Sequence, residues 1–418
     1  MTSQNATTDR PTVRAGVIGA GRRCAALFAA VPEDVDVEVV AVADPSEKNR
    51  AAFIERFATT TEPKQYTDGL ELLAREELDA VVVAGPNFQH TAYASEAMRR
   101  SLDLLLEKPV ATTVDDLALL WQAQQEGGTA HTAVGFVLRY TPFYTAIREV
   151  IQSGRLGEIL AIEANENLGT GLTMMQYLGW RQDVAKSGGW MVEKCCHDLD
   201  ILSHLLDSRP TTVFSMASAK HLRPRPANEQ LARFQADAGT AQLDFGDAET
   251  HAAFADDAEA NAAFADNAQH SPYDTSGLPD RQVATLEFEN GVLATFTAVM
   301  AQPATTRRIR IFGTGGYLEG DISTASITVT ITDPEGGAKP AAVEKIDIAT
   351  GGSGHHGGDE VLGDTFWHLA AGGEQTSRAG LSDGIDAVLT AIALQESAAT
   401  GQPVDLTVLR ERVFGSDS

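Results

Sequence analysis

Val13-Arg14-Ala15-Gly16-Val17-Ile18-Gly19-Ala20-Gly21-Arg22-Arg23-Cys24 is the stretch on which the fold turns. Val13–Ile18 is a short apolar run that reads as a buried strand. Gly19 and Gly21 supply a tight turn, and Arg22–Ala30 has the composition of a helix. A strand that enters a helix through glycines leaves the helix's first N–H groups free, at the positive end of its dipole. That is a cradle for a pyrophosphate. Cys24 replaces the third glycine of G-x-G-x-x-G and is small enough to keep helix and strand close. The motif is incomplete, and its context strengthens it. A second β-branched run, Val37–Ala43, ends at Asp44, 25 residues after Gly19. A carboxylate there accepts hydrogen bonds from the adenosine ribose and repels a 2′-phosphate, which favours NAD. Arg22 and Arg23 are the residues that would neutralise a 2′-phosphate and keep NADP open.

The same alternation continues outward. Ala80–Ala84 and Leu102–Leu106 are further strand-like runs, with helix-like Ser46–Phe57, Asp68–Arg75, Gln89–Arg100 and Val114–Gln125 around them. Ser46 is a plausible N-cap. Uniformly apolar strands separated by helices indicate a doubly wound parallel sheet covered on both faces, a Rossmann domain over residues 11–138, with Ala130–Val137 as its last strand. After Leu138 the texture changes. Pro142–Ser153 reads as a helix, Leu160–Asn165 as a strand, and Gly189–Leu206 contains a long helix. Gln282–Glu289, Val292–Met300, Arg307–Gly313 and Ser326–Thr332 alternate as strands, Asn290-Gly291 marks a hairpin, and Gly380–Thr400 is helical. The prediction for residues 139–418 is an α+β domain with a mixed or antiparallel sheet. Glu229–Asp280 stands apart as an acidic insertion, with eleven acids, one base and a near-repeat, AAFADDAE then AAFADNAQ.

Composition narrows the function. The 418 residues are 43% hydrophobic and 22% charged, and the formal net charge is −26. Such a field repels phosphate backbones, so no nucleic-acid partner is expected. No stretch is apolar enough to span a membrane, and the polar start Met1–Arg10 lacks a signal core. Three cysteines, Cys24, Cys195 and Cys196, are too few for a disulfide framework and fit the cytoplasm. The adjacent pair lacks metal-ligand spacing and reads as packing.

Several stretches in order carry a resemblance: DAVVVAGPNFQH (Asp79–His90), LLLEKP (Leu104–Pro109), GFVLRYTPFY (Gly135–Tyr144), WRQDVAKSGGWMVEKCCHDLD (Trp180–Asp200), IRIFGTGGYLEGD (Ile309–Asp321) and HGGD (His356–Asp359). The chain resembles the Gfo/Idh/MocA oxidoreductases over about residues 12–405, outside the acidic insertion. The resemblance implies a Rossmann domain, a second domain with a large open sheet that pairs subunits into a homodimer or homotetramer, and an active site between them. It implies hydride transfer between NAD or NADP and a hydroxyl carbon of a sugar, polyol or sugar derivative.

Lys108 resembles the family's catalytic lysine, stabilising a developing alkoxide. His197 resembles its acid/base, with an ordinary pKa near neutrality. Glu193 stands where many inositol dehydrogenase-like members have Asp. On a continuous helix its i, i+4 spacing from His197 would let it orient the imidazole. Lys194 is a second departure, either a substrate contact or a solvent-exposed lysine. Pro86, Asn87, His90 and Glu107 join Gly19, Gly21, Arg22, Arg23, Asp44 and Lys108 on the cofactor side. Arg139, Tyr140, Trp180, Arg181 and Asp200 are expected on the substrate side, and Pro109 with a cis peptide. His355 and His356 are candidates to close over the substrate. Glu193, His197, Asp200 and His204 also read as a metal cluster, but the family transfers hydride without metal, so none is expected. Two other functions remain open, an NAD-retaining glycosidase- or epimerase-like enzyme and a catalytically silent dinucleotide-binding protein.

Overall fold

The computed structural model describes residues 12–58, 61–128, 130–176, 179–219, 279–337, 339–349 and 355–415. The acidic insertion expected at 229–280 lies outside them except for its last two residues.

Six parallel strands form the first sheet: β1 (Val13–Ile18), β2 (Val37–Ala43), β3 (Lys64–Tyr66), β4 (Ala80–Val83), β5 (Asp103–Leu106) and β6 (Thr132–Val134). Their order is β3-β2-β1-β4-β5-β6, so the winding reverses between β1 and β4. In such sheets ligands bind outside the carboxyl ends of the strands at that reversal, where Gly19 follows β1 and Gly85 follows β4. Every side chain of β4 is buried, as a central parallel strand requires. Ser46 Oγ accepts the Asn49 N–H at 3.3 Å and caps the helix Glu47–Phe57.

The second sheet has nine strands: β7 (Ile159–Gly169), β8 (Pro210–Ser218), β9 (Arg281–Phe288), β10 (Leu293–Gln302), β11 (Arg308–Gly313), β12 (Gly316–Asp321), β13 (Ser326–Ile331), β14 (Ala342–Asp347) and β15 (Val404–Asp405). Their order is β14-β13-β12-β11-β7-β10-β9-β8-β15. The sheet is mixed, because β7 and β10 run parallel and every other pair antiparallel. Side chains of β9 alternate buried and exposed, so one face packs on helices and the other stays open. Gly291, at φ +81°, closes the β9–β10 hairpin that Asn290-Gly291 predicts.

Two features differ from the sequence reading. The helix expected within Gly189–Leu206 is broken into Trp190–Glu193 and Cys196–Leu206, with Lys194 and Cys195 between them. The i, i+4 argument joining Glu193 to His197 therefore does not apply. A helix that the reading omits, Gly358–Ala370, covers one face of the first sheet. Its Leu362, Phe366 and Trp367 share a core with Val13, Leu27 and Phe28, and Trp367 Nε1 donates to Leu27 O at 3.0 Å. Its glycine-rich start reads as a loop, yet Gly358 lies so close to Val137 O that a Cβ would stand 2.6 Å away. No helix of the described residues is long and apolar enough to cross a membrane.

Candidate active site

The glycine turn is built for two different reasons. Gly19 has φ +87°, and a Cβ on it would sit 2.6 Å from Gly85 N, so the strand reversal leaves no room for a side chain. Gly21 is extended, and a Cβ on it would meet nothing within 4 Å. The open space at Gly21 faces the start of the helix Arg22–Ala29, which has no side-chain cap and no acid in its first turn. A helix start without a side-chain cap or a first-turn acid, beside this open cradle, fits a dinucleotide pyrophosphate. Asp44, 8% exposed, accepts the Ala20 N–H through Oδ2 and the Ser46 N–H through Oδ1, both at 2.9 Å, fixing β2 to the turn. Cys24 is fully buried between helix and sheet. A clear expectation follows. Gly19→Ala should lower stability by more than ~1 kcal/mol, through a positive φ and a backbone clash. Gly21→Ala should leave Tm nearly unchanged and weaken dinucleotide binding. Thermal melts with and without NAD separate the two.

Arg23 turns inward. Its Nε donates to Glu107 Oε1 at 2.5 Å, and its Nη1 pairs with Asp359. Burial alone would lower the guanidinium's pKa, but Glu107 and Asp359 raise it beyond its usual range. With both carboxylates on it, Arg23 links the glycine turn, the Glu107-Lys108-Pro109 turn and the helix Gly358–Ala370. Its expected place as a 2′-phosphate ligand is corrected to this linkage, and Arg22 is the exposed arginine of the turn. The Lys108–Pro109 peptide is cis.

Lys108 Nζ donates to the backbone carbonyl of Glu193 at 2.7 Å, which ties the turn after β5 to the broken helix of the second half. The Glu193 side chain is 6% exposed and accepts from Arg181 Nε at 3.1 Å. Burial pushes this carboxyl up, but Lys108, Arg181 and Lys194 outweigh it and hold it at about 2. Glu193 is thus a fixed anion that balances the surrounding cations. The Arg181 guanidinium lies over the Trp180 ring, 4.5 Å from its centroid, and Trp180 meets Phe88 edge-on at 6.5 Å. Trp180 and Arg181 therefore stand beside the Lys108 region.

His197 opens the helix Cys196–Leu206 and is 4% exposed. Its Nδ1 is buried with no hydrogen-bond partner. Its ring lies 5.9 Å from Phe136 and 6.3 Å from His355. Burial first, then the charges of Lys108, Lys194, His355 and Arg307, lower its pKa well below 6.5. The imidazole rests neutral, a base rather than the evenly poised acid/base that its ordinary pKa suggests.

Beneath His197 lies a charge cluster the sequence reading missed. Arg307 Nε donates to Asp198 Oδ1 at 2.6 Å, its Nη2 pairs with Glu166 at 2.5 Å, and Lys194 Nζ lies 3.8 Å from Glu166. Lys194 is accordingly partly buried rather than solvent-exposed. Burial, with Asp198 beside it, pushes the Glu166 carboxyl above its usual range despite Arg307 and Lys194. Glu166 sits mid-strand in β7, and only the sheet register brings it beside Arg307, so no local spacing announces the cluster.

Other expected site residues are engaged elsewhere. Arg139 donates from Nε and Nη2 to both oxygens of Asp200, at 2.8 and 2.6 Å, and also pairs with Asp383 at 3.1 Å. Tyr140 is 2% exposed, and its hydroxyl accepts the Arg378 N–H at 2.8 Å. Arg139, Asp200 and Tyr140, expected as substrate contacts, are instead engaged in a buried tie within residues 139–418, joining the start of that half to the helices Cys196–Leu206 and Leu381–Thr400 and to Arg378. Asn87 is 4% exposed and donates from Nδ2 to Ser187 O at 3.0 Å, with Pro86 just before its helix. His90 is buried between the Pro109 and Gly85 carbonyls, at 2.7 and 2.8 Å, bracing the cis-proline turn.

Two family models match the chain, the oxidoreductase family NAD-binding Rossmann fold over residues 13–136 and the oxidoreductase family C-terminal alpha/beta domain over residues 148–406. The chain belongs to the Gfo/Idh/MocA oxidoreductase family and carries its NAD-binding Rossmann fold. The protein YteT of Bacillus subtilis (strain 168) is 24% identical over 346 residues, covering 78% of this chain and 81% of its own length. An inositol 2-dehydrogenase of Salmonella typhimurium is 27% identical over 203 residues, which cover 48% of this chain and only 57% of that relative. Levoglucosan dehydrogenase in complex with NADH superposes with a TM-score of 0.73 at 18% identity, covering 94% of this chain and 99% of that one. At that identity the likeness is one of fold.

Proposed function

We propose that this oxidoreductase transfers hydride between NAD and a CH–OH carbon of a sugar, polyol or sugar derivative, with residues 11–138 holding the dinucleotide and 139–418 the substrate. One observation carries the reading. Lys108 is anchored on the Glu193 carbonyl close enough to depress His197, whose Nδ1 is buried, neutral and unpartnered. A cation beside a neutral base is what alcohol oxidation asks of a protein. NAD, when bound, supplies the hydride acceptor. Gly19, Gly21 and the helix Arg22–Ala29 hold its pyrophosphate, and Asp44 its adenosine ribose. Lys108 donates to the substrate oxygen and stabilises negative charge as it develops there. His197 takes the hydroxyl proton. Trp180 offers an apolar face to a sugar ring, and Arg181 a charged donor fork.

Absorbance at 340 nm during a screen of sugars and inositols tests this reading. Stoichiometric NADH formation supports it. Cleavage of an aryl glycoside without net NADH would replace it with the glycosidase-like alternative.

The open face of the second sheet supports self-association. Met216 opposes Val283 across β8 and β9, at 67% and 49% exposure, and Leu293 on β10 is 57% exposed. Covering that face with a second copy gives a homodimer or homotetramer. Light scattering at micromolar concentration should give a mass at least twice the chain's. A monomer throughout would contradict it. Three free, buried cysteines support a cytoplasmic location.

A further inference from the structure

We propose that His355 carries the proton released by each oxidation from the buried His197 to solvent, as the second member of a two-histidine relay. The inference rests on the reading of His197 as the base. Oxidising a carbinol moves a hydride to NAD and one proton, from the hydroxyl, to His197. His197 is only 4% exposed, so little of its ring meets bulk solvent, and a proton taken up there needs a partner to carry it out. The site needs an exit before it can turn over again.

His355 is placed to be that exit. Its ring centroid lies 6.3 Å from that of His197, a spacing that one bridging water spans. Its side chain is 40% exposed, so it meets solvent where His197 does not. Its Nδ1 hydrogen-bonds Asp359 at 2.9 Å. That carboxylate fixes the tautomer, with the proton on Nδ1 and the lone pair on Nε2. Asp359 is itself held by Arg23, which is held by Glu107, so the orienting anion is rigid. Burial pushes the Asp359 carboxyl up, but Arg23 and His355 outweigh it and keep it ionised. The backbone shows that the placement is imposed. His355 and His356 have φ of +49° and +55°, a left-handed pair at two non-glycine residues in succession.

The charges around the relay give it a direction. The charges of Lys108, Lys194 and Arg307, on three separate segments, disfavour the protonated form of His197, as does His355. The protonated His197 is therefore more acidic than an ordinary imidazolium and is disposed to pass its proton on. Toward His355 stand Asp359, hydrogen-bonded to its Nδ1, and the rings of His197 and His356. The proton moves from the substrate hydroxyl to His197, then to His355 Nε2, and the Nε2 proton goes to solvent buffer. No oxidant beyond NAD is involved.

Stopped-flow and steady-state kinetics on the full-length holoenzyme test the relay, with His355→Ala and His355→Asn. Asn keeps an N–H donor for Asp359 and cannot carry a proton. Both variants should form the first equivalent of NADH at the wild-type rate. In both, steady-state kcat should fall by about 10-fold or more and recover as imidazole buffer is added. Wild-type kcat should ignore imidazole. Full activity in His355→Asn, or loss of the first turnover in His355→Ala without imidazole rescue, would assign His355 a structural role and overturn the relay. His197→Ala, run alongside, keeps the failures apart. A normal first turnover in that variant would remove the underlying assignment of the base, whereas His355 variants with unaltered kinetics beside an inactive His197→Ala would remove only the relay.

Discussion

His197→Ala is expected to lose at least ~10²-fold in kcat, and Lys108→Ala a comparable amount, because each removes one of the two groups proposed to handle the substrate hydroxyl. NAD affinity should barely change in either. The dinucleotide is assigned to Gly19, Gly21, the helix Arg22–Ala29 and Asp44, and neither residue belongs to that set. The two variants should also differ from each other. Lys108 Nζ anchors on the Glu193 carbonyl and is one of the cations that depress His197. Removing it should therefore raise the pKa of the imidazole and move the acid limb of the pH–rate profile upward. Steady-state kinetics with NAD titrations by isothermal calorimetry make the comparison. Near-normal turnover by His197→Ala on an identified substrate would move the search for the base to Lys194.

Arg139→Met is expected to lower stability by about 3–5 kcal/mol, the usual consequence of removing one partner from a buried ion pair. Arg139 and Asp200 are 5% and 1% exposed and share two hydrogen bonds, so solvent does little to soften the loss. The tie joins the segment after β6 to the helix Cys196–Leu206, and Asp383 joins it from the helix Leu381–Thr400. The double variant Arg139→Met, Asp200→Leu should recover most of the loss, because no uncompensated buried charge is left, Asp383 being partly exposed to solvent. Denaturant melts of the two variants decide the point. An Arg139→Met protein of wild-type stability but raised KM would return Arg139 to the substrate side.

The first sheet was legible because local signals suffice for it. β1 and β2 fall on the runs Val13–Ile18 and Val37–Ala43, and β4 and β5 lie within Ala80–Ala84 and Leu102–Leu106. Each is an apolar strand buried on both faces, and each gap between them is long enough for a crossover helix. The second sheet was legible where alternation was clean, as in β9 and β10. It was not where composition hides the strand. β12, Gly-Tyr-Leu-Glu-Gly-Asp, has two glycines and is held as a strand by its register with β11, Ile311 opposite Leu318. β3, Lys-Gln-Tyr, is a three-residue polar edge strand.

At the candidate site, motif and neighbourhood singled out Lys108, His197 and the glycine turn, but charge pairing escaped the sequence. Arg23 meets Asp359 across 336 positions and Arg307 meets Asp198 across 109. Only the fold makes those neighbours. The same blindness placed Arg139 and Asp200 on the substrate side, since an Arg and an Asp near a domain boundary read as ligand contacts until each is seen to satisfy the other. The break at Lys194 and Cys195 was equally hidden, because Trp-Met-Val-Glu-Lys-Cys-Cys-His carries neither glycine nor proline to announce it.

The pH dependence of kcat/KM for NADH formation tests the central assignment most directly, because it reports the base in the free enzyme. Burial and four surrounding cationic or ionisable groups lower the His197 pKa, so the neutral, reactive imidazole persists into acid. Activity should rise with pH along a limb whose midpoint lies clearly below 6.5 and stay flat through neutrality, and His197→Ala should lack that limb. A midpoint at or above 6.5, or a limb that survives in His197→Ala, would contradict the account.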